Sequence, residues 1–213
     1  RVFGTSEQRW VAIVAEVCEL SKTGRPVLIG TRSIDKSEIL SKLLTEAGVE
    51  HCVLNANEIE KEADIVTLAG HRGKVTVATN MAGRGTDIKL EEGISDLGGL
   101  LVICSEMHDA ARIDRQLYGR CGRQGDPGSF RQYLALDDEI IRSGLGPSAA
   151  DRLEARGDKM VGQVDQFAKV FRRAQRKVER RHLRDRNMLL HHEKERKKMQ
   201  REMGQDPFLD TAD

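Results

Sequence analysis

The sequence predicts an α/β fold built on a parallel sheet and followed by a long C-terminal helix. Three observations carry this. Short apolar runs alternate with amphipathic segments along most of the chain. The runs at 26–30 (PVLIG), 75–79 (VTVAT) and 100–104 (LLVIC) are apolar or β-branched nearly throughout, as strands covered on both faces are. Beyond residue 160, Val164, Phe167, Phe171, Ala174 and Val178 recur at about one helical turn per step.

Taken in order, the periodicity predicts a helix over 6–21, with Ser6 as its cap and Trp10, Val11, Val14, Val17 and Cys18 inward. The strand at 26–30 follows. Ser33 then starts a second helix with Ile39, Leu40, Leu43 and Leu44 inward and Gly48 as its stop. A strand at 51–55 and a helix at 57–69 precede the strand at 75–79. After the strand at 100–104, a helix over 109–120 carries Ala111, Ile113 and Leu117 on its apolar side. An alternating strand is expected at 130–136 and a break at 144–148. A long helix docked at its start then becomes increasingly solvated, ending in an acidic tail at 205–213.

The chain has 213 residues, enough for one ordinary domain plus an extension. Lys+Arg number 35 and Asp+Glu 34, a formal net charge of +1 that hides a split. Residues 169–201 hold fourteen Lys/Arg against four Asp/Glu, a local +10, so the remainder carries −9. Aromatics are only 4%, so the core must rest on Val, Ile and Leu. No apolar run is long enough to span a membrane, and no signal peptide is visible. Arg1 in place of Met points to a processed chain or a piece of a longer one. Cys18, Cys52, Cys104 and Cys121 form no CxxC pair and no metal-ligand spacing; the first three sit in apolar runs, where buried free thiols are expected, in a reducing cytosol.

Two stretches carry chemistry. In Gln116-Leu-Tyr-Gly-Arg-Cys-Gly-Arg-Gln-Gly-Asp-Pro-Gly128, Arg120 and Arg123 lie three apart. At a helix end this spacing would put both guanidinium groups on one face. Glycines beside them allow close approach of a polyanion, and a guanidinium fork matches phosphate oxygens two at a time. The second stretch, Thr79-Asn-Met-Ala-Gly-Arg-Gly-Thr-Asp87, leaves the β-branched run through a glycine-rich turn. That order places Arg84, Thr86 and Asp87 just past a strand's carboxyl end, where open parallel sheets hold ligands.

Other clusters give way to plainer readings. Residues 70–74 are not a phosphate loop, since Val75 follows Lys74. Asp137-Asp138-Glu139 lacks the partner loop a magnesium site needs and suits a helix start. Glu106, His108 and Asp109 have no second cluster to complete a coordination set, so no metal is expected. Adjacent His191 and His192 face different directions, as on a solvated helix.

Together the two stretches resemble motifs V and VI of the superfamily 2 helicase-type motors, and their wording resembles the SecA family, the ATP-driven motors of bacterial preprotein export. Ala174-Gln-Arg-Lys-Val-Glu179 is similar to the start of that family's long scaffold helix. The resemblance spans about 3–190 and implies a RecA-like (P-loop NTPase type) parallel sheet with helices on both faces. It implies a second motor domain at 1–147 and a helical scaffold segment at 148–213. Arg32 and the trimmed acidic loop at 90–96 depart from the family pattern; Arg32 is equally read as a surface residue.

The resemblance also implies roles. Arg120 and Arg123 would act as arginine fingers, and Gln116 would couple nucleotide state to closure. Arg84 would add a third positive contact or serve as a structural ion pair. Asp87 would bond the ribose or a bridging water, while Thr79, Gly83 and Gly85 shape the loop. ATP or ADP with Mg²⁺ is the implied cofactor, the Mg²⁺ ligands coming from the missing motor half, so the chain alone is not expected to turn over ATP. The implied partners are the first motor domain, preprotein and the membrane translocation channel, with the protein cytoplasmic or peripheral on the inner membrane face. The basic helix is a candidate contact for anionic lipid. Nucleic acid is not an expected partner, because the basic arm holds no aromatic residue beyond Phe171. The alternatives are the second domain of a nucleic-acid helicase and a non-catalytic adaptor that keeps the fold.

Overall fold

A computed structural model describes residues 1–54, 65–79 and 87–203. Five strands form one all-parallel sheet: β2 (Val27–Thr31), β3 (Cys52–Leu54), β4 (Val75–Thr79), β5 (Leu100–Cys104) and β6 (Gly128–Gln132). Their spatial order is β3-β4-β2-β5-β6. The three inner strands are buried at every position, which is why they read as continuous apolar runs. The edge strand β6 is mostly exposed, and its sequence is correspondingly polar.

The twofold alternation of strand side chains divides the core. On one face Val27, Ile29, Val75, Val77, Leu101 and Ile103 meet α1 (Ser6–Thr23) through Trp10, Ile13 and Val17, and α2 (Ile34–Glu46) through Leu40 and Leu44. On the other face Leu28, Ala78, Leu100, Val102 and Cys104 meet Val66, Ala69 and Leu117, the last from α3 (Ala111–Tyr118). Gly30 permits this packing: a Cβ there would lie 2.3 Å from Leu117 Cδ2.

Local signals explain the helix ends and correct several expectations. Thr5, not Ser6, is the N-cap of α1; its hydroxyl accepts from the Gln8 amide. Ser6 instead donates its backbone N–H and its hydroxyl to the Asp137 carboxylate. Ser33 caps α2 as expected, and Gly48 follows that helix with φ 73°. Val11 and Ile39, expected inward, are exposed, because the true apolar stripes are narrower than the run of hydrophobic letters. Cys52, expected buried, is exposed at the start of the edge strand β3; Cys104 is buried and Cys18 half-buried. The expected helix at 57–69 lies partly outside the described residues, which are helical at 65–68. The tail at 205–213 lies wholly outside them.

The expected strand at 130–136 is two strands. After β6 the chain passes Tyr133 and forms β7 (Leu134–Ala135), which pairs in parallel with β1 (Val2–Phe3) as a second, two-stranded sheet. Around it a third apolar cluster gathers Val2, Leu134, Leu136, Ile140, Ile141, Phe167, Phe171, Ala174 and Val178. This cluster joins α4 (Glu139–Leu145), α5 (Pro147–Gly157) and the 35-residue α6 (Ala168–Glu202). It spans the position 147/148, where α5 opens with Pro147 in its first turn. In α6 only Phe171, Ala174, Gln175 and Val178 are buried, so the outer half of the helix projects into solvent. Among the described residues no helix is long and apolar enough to cross a membrane.

Candidate functional site

The site is assembled on the face covered by α3. That helix carries the chain from the carboxyl end of β5 back to the amino ends of β5 and β6, where Leu100 registers with Gly128. The turn between α3 and β6 is tight. Gly122, Gln124 and Gly125 all have positive φ (68°, 54° and 89°), and Gln124 is the one non-glycine residue so placed among the described residues. A left-handed Gln costs about 1–2 kcal/mol, which the surrounding contacts must offset. One of them is its own amide, whose Nε2 lies 3.4 Å from Asp87 Oδ2.

The second stretch arrives from the opposite end of the sheet. β4 ends at Thr79, level with Thr31 of β2. Thr79 is buried, and its hydroxyl has no hydrogen-bond partner among the described residues. Gly83, Arg84 and Gly85 lie outside the described residues. From Asp87 onward the chain runs back along the sheet face: Ile88 joins the cluster with Leu100 and Leu117, and the Glu91 amide donates to Gly70 O at 3.2 Å. Among the described residues, Asp87 therefore meets the arginine turn on the sheet face.

Among the described residues, the contact is an ion pair. Arg123 Nη1 bonds Asp87 Oδ1, while Arg123 Nε donates to Gly119 O at 2.8 Å. The Arg123 side chain is 32% exposed and that of Asp87 47%, so the pair is open to solvent. A shallow recess beside it is lined by Ile88, Leu90, Leu100, Arg120, Cys121 and Pro127. Arg120 and Arg123 do not share a helix face as their spacing allowed. α3 ends at Tyr118 with Gly119 as its C-cap, so both arginines belong to the turn, while Gln116 sits exposed on the last turn of α3. Burial pushes the Cys121 thiol up from its ordinary range. Burial likewise raises the Tyr118 phenol, whose ring stacks on Phe130 at 4.2 Å.

Around the start of α3, at the other end from the turn, lies a polar junction that the sequence did not announce. His108 Nδ1 lies 2.7 Å from Asp114 Oδ1, and the His108 amide donates to the same oxygen at 3.0 Å. Gln175 of α6 donates from Nε2 to Asp114 Oδ2 at 2.6 Å and to His108 O at 2.8 Å. Glu179 Oε1 accepts from the Ala111 amide at 2.7 Å. The trio Glu106, His108 and Asp109, weighed as a metal site, disperses instead. Glu106 pairs with Lys36, and Asp109 pairs with Arg32 at 2.9 Å. Arg32, read as a surface residue, thus ties the end of β2 to the segment after β5. The available signal was Gln175 itself, a polar residue one turn from Phe171 in an apolar stripe.

A helix-covered parallel sheet with this strand order is a RecA-like domain of the kind found in helicase-type motors. It superposes on a chain in the crystal structure of E. coli DEAD-box protein SrmB bound to regulator of ribonuclease activity A. That match has a TM-score of 0.54 at 20% identity, over 71% of this chain and 81% of that one. The yeast DEAD-box splicing factor Prp28 gives 0.53 at 14% identity, over 76% of this chain and 34% of that one. At those identities the likeness is one of fold alone.

The family follows from the sequence comparisons. The SecA P-loop domain family matches residues 1–95 and 90–160, and the chain belongs to it. It is 66% identical over 213 residues to protein translocase subunit SecA 2 of Rhodopirellula baltica, covering 100% of this chain and 32% of that protein. It is 51% identical over 196 residues to protein translocase subunit SecA of Solidesulfovibrio magneticus, covering 89% of this chain and 23% of that one. The chain thus spans less than half the length of either relative.

Proposed function

We propose that this chain is the second nucleotide-facing domain, with the first part of the helical scaffold, of a SecA-type protein-translocating ATPase. The motor domain is assigned to 1–147 and the scaffold segment to 148–213. The observation that carries the reading is the Asp87–Arg123 pair: a half-exposed guanidinium on a glycine-rich turn, held by the Asp87 carboxylate and the Gly119 carbonyl. A phosphate group offers the same oxygen pair with more charge, so it can replace Asp87 as the partner of Arg123.

ATP with Mg²⁺, when bound, supplies the phosphoryl group to be transferred to water. The residues of this chain fit the outer wall of such a site. Arg123, with Arg120 three residues before it, brings positive charge to where negative charge accumulates in the transition state. Asp87 holds Arg123 before closure and, once released, is free to bond the ribose or a water. Gln116 on the last turn of α3 relays closure to that helix. Thr79, Gly83 and Gly85 shape the loop, and Arg84 adds a third positive contact or serves as a structural ion pair. The phosphate loop and the Mg²⁺ ligands are assigned to another domain, the first motor domain, which is the immediate partner. Preprotein and a membrane translocation channel are proposed as the further partners. The setting is the cytoplasm or the inner face of the membrane, where α6 is a candidate contact for anionic lipid.

The test is Arg123→Ala in a motor that combines this chain with the complementary half. Turnover should fall by a factor of about 10³–10⁵, the range for arginine fingers. Arg123→Lys should also turn over poorly, since an ammonium lacks the fork. Nucleotide affinity should fall far less than turnover. Wild-type turnover in Arg123→Ala would overturn the reading.

A further inference from the structure

The N-terminus of α3 has no cap of its own. Ala110 stands at the N-cap position and offers no side-chain acceptor. The first amide of the helix, that of Ala111, is instead satisfied by Glu179, a residue 68 positions later on α6. The carboxylate also suits the positive end of the helix dipole. One turn earlier on α6, Gln175 is 7% exposed and spends its amide on two acceptors. These are the His108 carbonyl, just before α3, and the Asp114 carboxylate within it. Asp114 in turn holds the backbone and ring of His108. Every member of this group is buried or half-buried, so a hydrogen bond lost here is not simply replaced by water.

Three features make this junction more than a helix contact. α3 is only eight residues long, too short to be stable by itself, so its geometry depends on what holds its ends. Its far end leads within five residues to Arg123. And the start of α6 is held by a close crossing with α4, since a Cβ on Gly144 would lie 2.5 Å from Ala174 O, while beyond Val178 the helix is exposed. A displacement of the outer part of α6 therefore reaches α3 through two side chains on a single helical turn.

We propose that Gln175 and Glu179 are positioning residues through which α6 sets the placement of α3 and hence of the Arg120–Arg123 turn. The site on the sheet face is ordered when the cap is engaged and loosened when α6 withdraws it. Coupling runs both ways: an event that fixes the arginine turn stabilises the docked α6, by linkage. This rests on the role given to Arg120 and Arg123 above, but its first readout does not.

The experiment uses Gln175→Leu and Glu179→Ala in the 213-residue chain. Amide hydrogen exchange over 111–125 should accelerate about tenfold in each, the scale of a lost helix cap. The strands β2, β4 and β5 should keep wild-type protection. Glu179→Gln, which retains an acceptor oxygen, should restore most of it. Joined with the complementary motor half, both variants should lower kcat several-fold while KM for ATP stays within about twofold, since positioning acts on the transition state. Unchanged exchange over 111–125 in both variants overturns the proposal. Should Gln175→Leu fail to fold, the half-buried Glu179→Ala decides it alone. Arg123→Ala, run alongside, separates the two ideas: normal turnover there removes the finger role and leaves the exchange result standing.

Discussion

Gly144 and Ala174 meet backbone to backbone. A Cβ on Gly144 would sit 2.5 Å from Ala174 O and 2.6 Å from its Cα, so α4 and α6 cross at a distance that only glycine permits. Gly144→Ala must push the helices apart and open the cluster of Ile140, Ile141, Phe171 and Val178. The expected loss is about 1–3 kcal/mol, the range for overpacking a core, read as a lower urea midpoint. A midpoint equal to wild type would show that the crossing has slack.

The second prediction concerns Asp138. Its carboxylate is buried between Arg9, which it pairs, and the Ala135 amide, which donates to it at 2.9 Å. Burial pushes its pKa up from an ordinary 3.8 to about 6, against the downward pull of Arg9. The folded value lies above the unfolded one, so the folded state binds the proton first as pH falls. Stability from this group is fully present below about pH 4 and is lost as pH rises through 6. The difference in unfolding free energy between wild type and Asp138→Asn should therefore shift by about 3 kcal/mol from pH 4 to pH 7, to the disadvantage of wild type. A pH-independent difference would contradict the shift.

α6 supplies a third contrast. Phe171 is fully buried, whereas Arg196 sits on the projecting half. Phe171→Asp should abolish cooperative folding, because it buries an unpaired charge, and Arg196→Glu should leave the midpoint unchanged within about 0.5 kcal/mol. Exchange protection at 168–180 should exceed that at 190–203. Equal protection in the two stretches would exclude a docked start and a free end.

For catalysis, the chain by itself should release phosphate from ATP at the rate of buffer with magnesium. The reading assigns the phosphate loop and the Mg²⁺ ligands to another domain. Turnover above background that a substitution within this chain abolishes would sink the division of labour proposed here.

The strands were legible because each inner one is buried at every position, so residue identity tracks burial without alternation. The ends of α2 were legible too, since Ser33 and Gly48 act through their own chemistry. Failures came where tertiary contacts override local signals. Ser6 resembles a cap, but Asp137 competes for it. Val11 and Ile39 are hydrophobic letters just outside the true stripe. The motif wording singled out Arg120 and Arg123, whereas their turn depends on three left-handed residues, Gly122, Gln124 and Gly125, that spacing does not encode. The link from Gln175 to Asp114 joins residues 61 apart, and no local pattern marks such a pair.

The short strand β1 has a consequence for how the molecule is made. Val2 registers with Leu134, and its amide donates to Asp165, 163 residues further along. On a ribosome adding about 5–20 residues per second, Val2 and Phe3 wait on the order of ten to thirty seconds for those partners to emerge. The five-strand sheet and the β1–β7 pair can close once residue 135 has emerged, but the third apolar cluster and the cap on α3 cannot. The arginine turn is thus completed last, after the start of α6 has left the ribosome, and a nascent chain stalled before residue 165 should expose the apolar pair Val2 and Phe3 to chaperones.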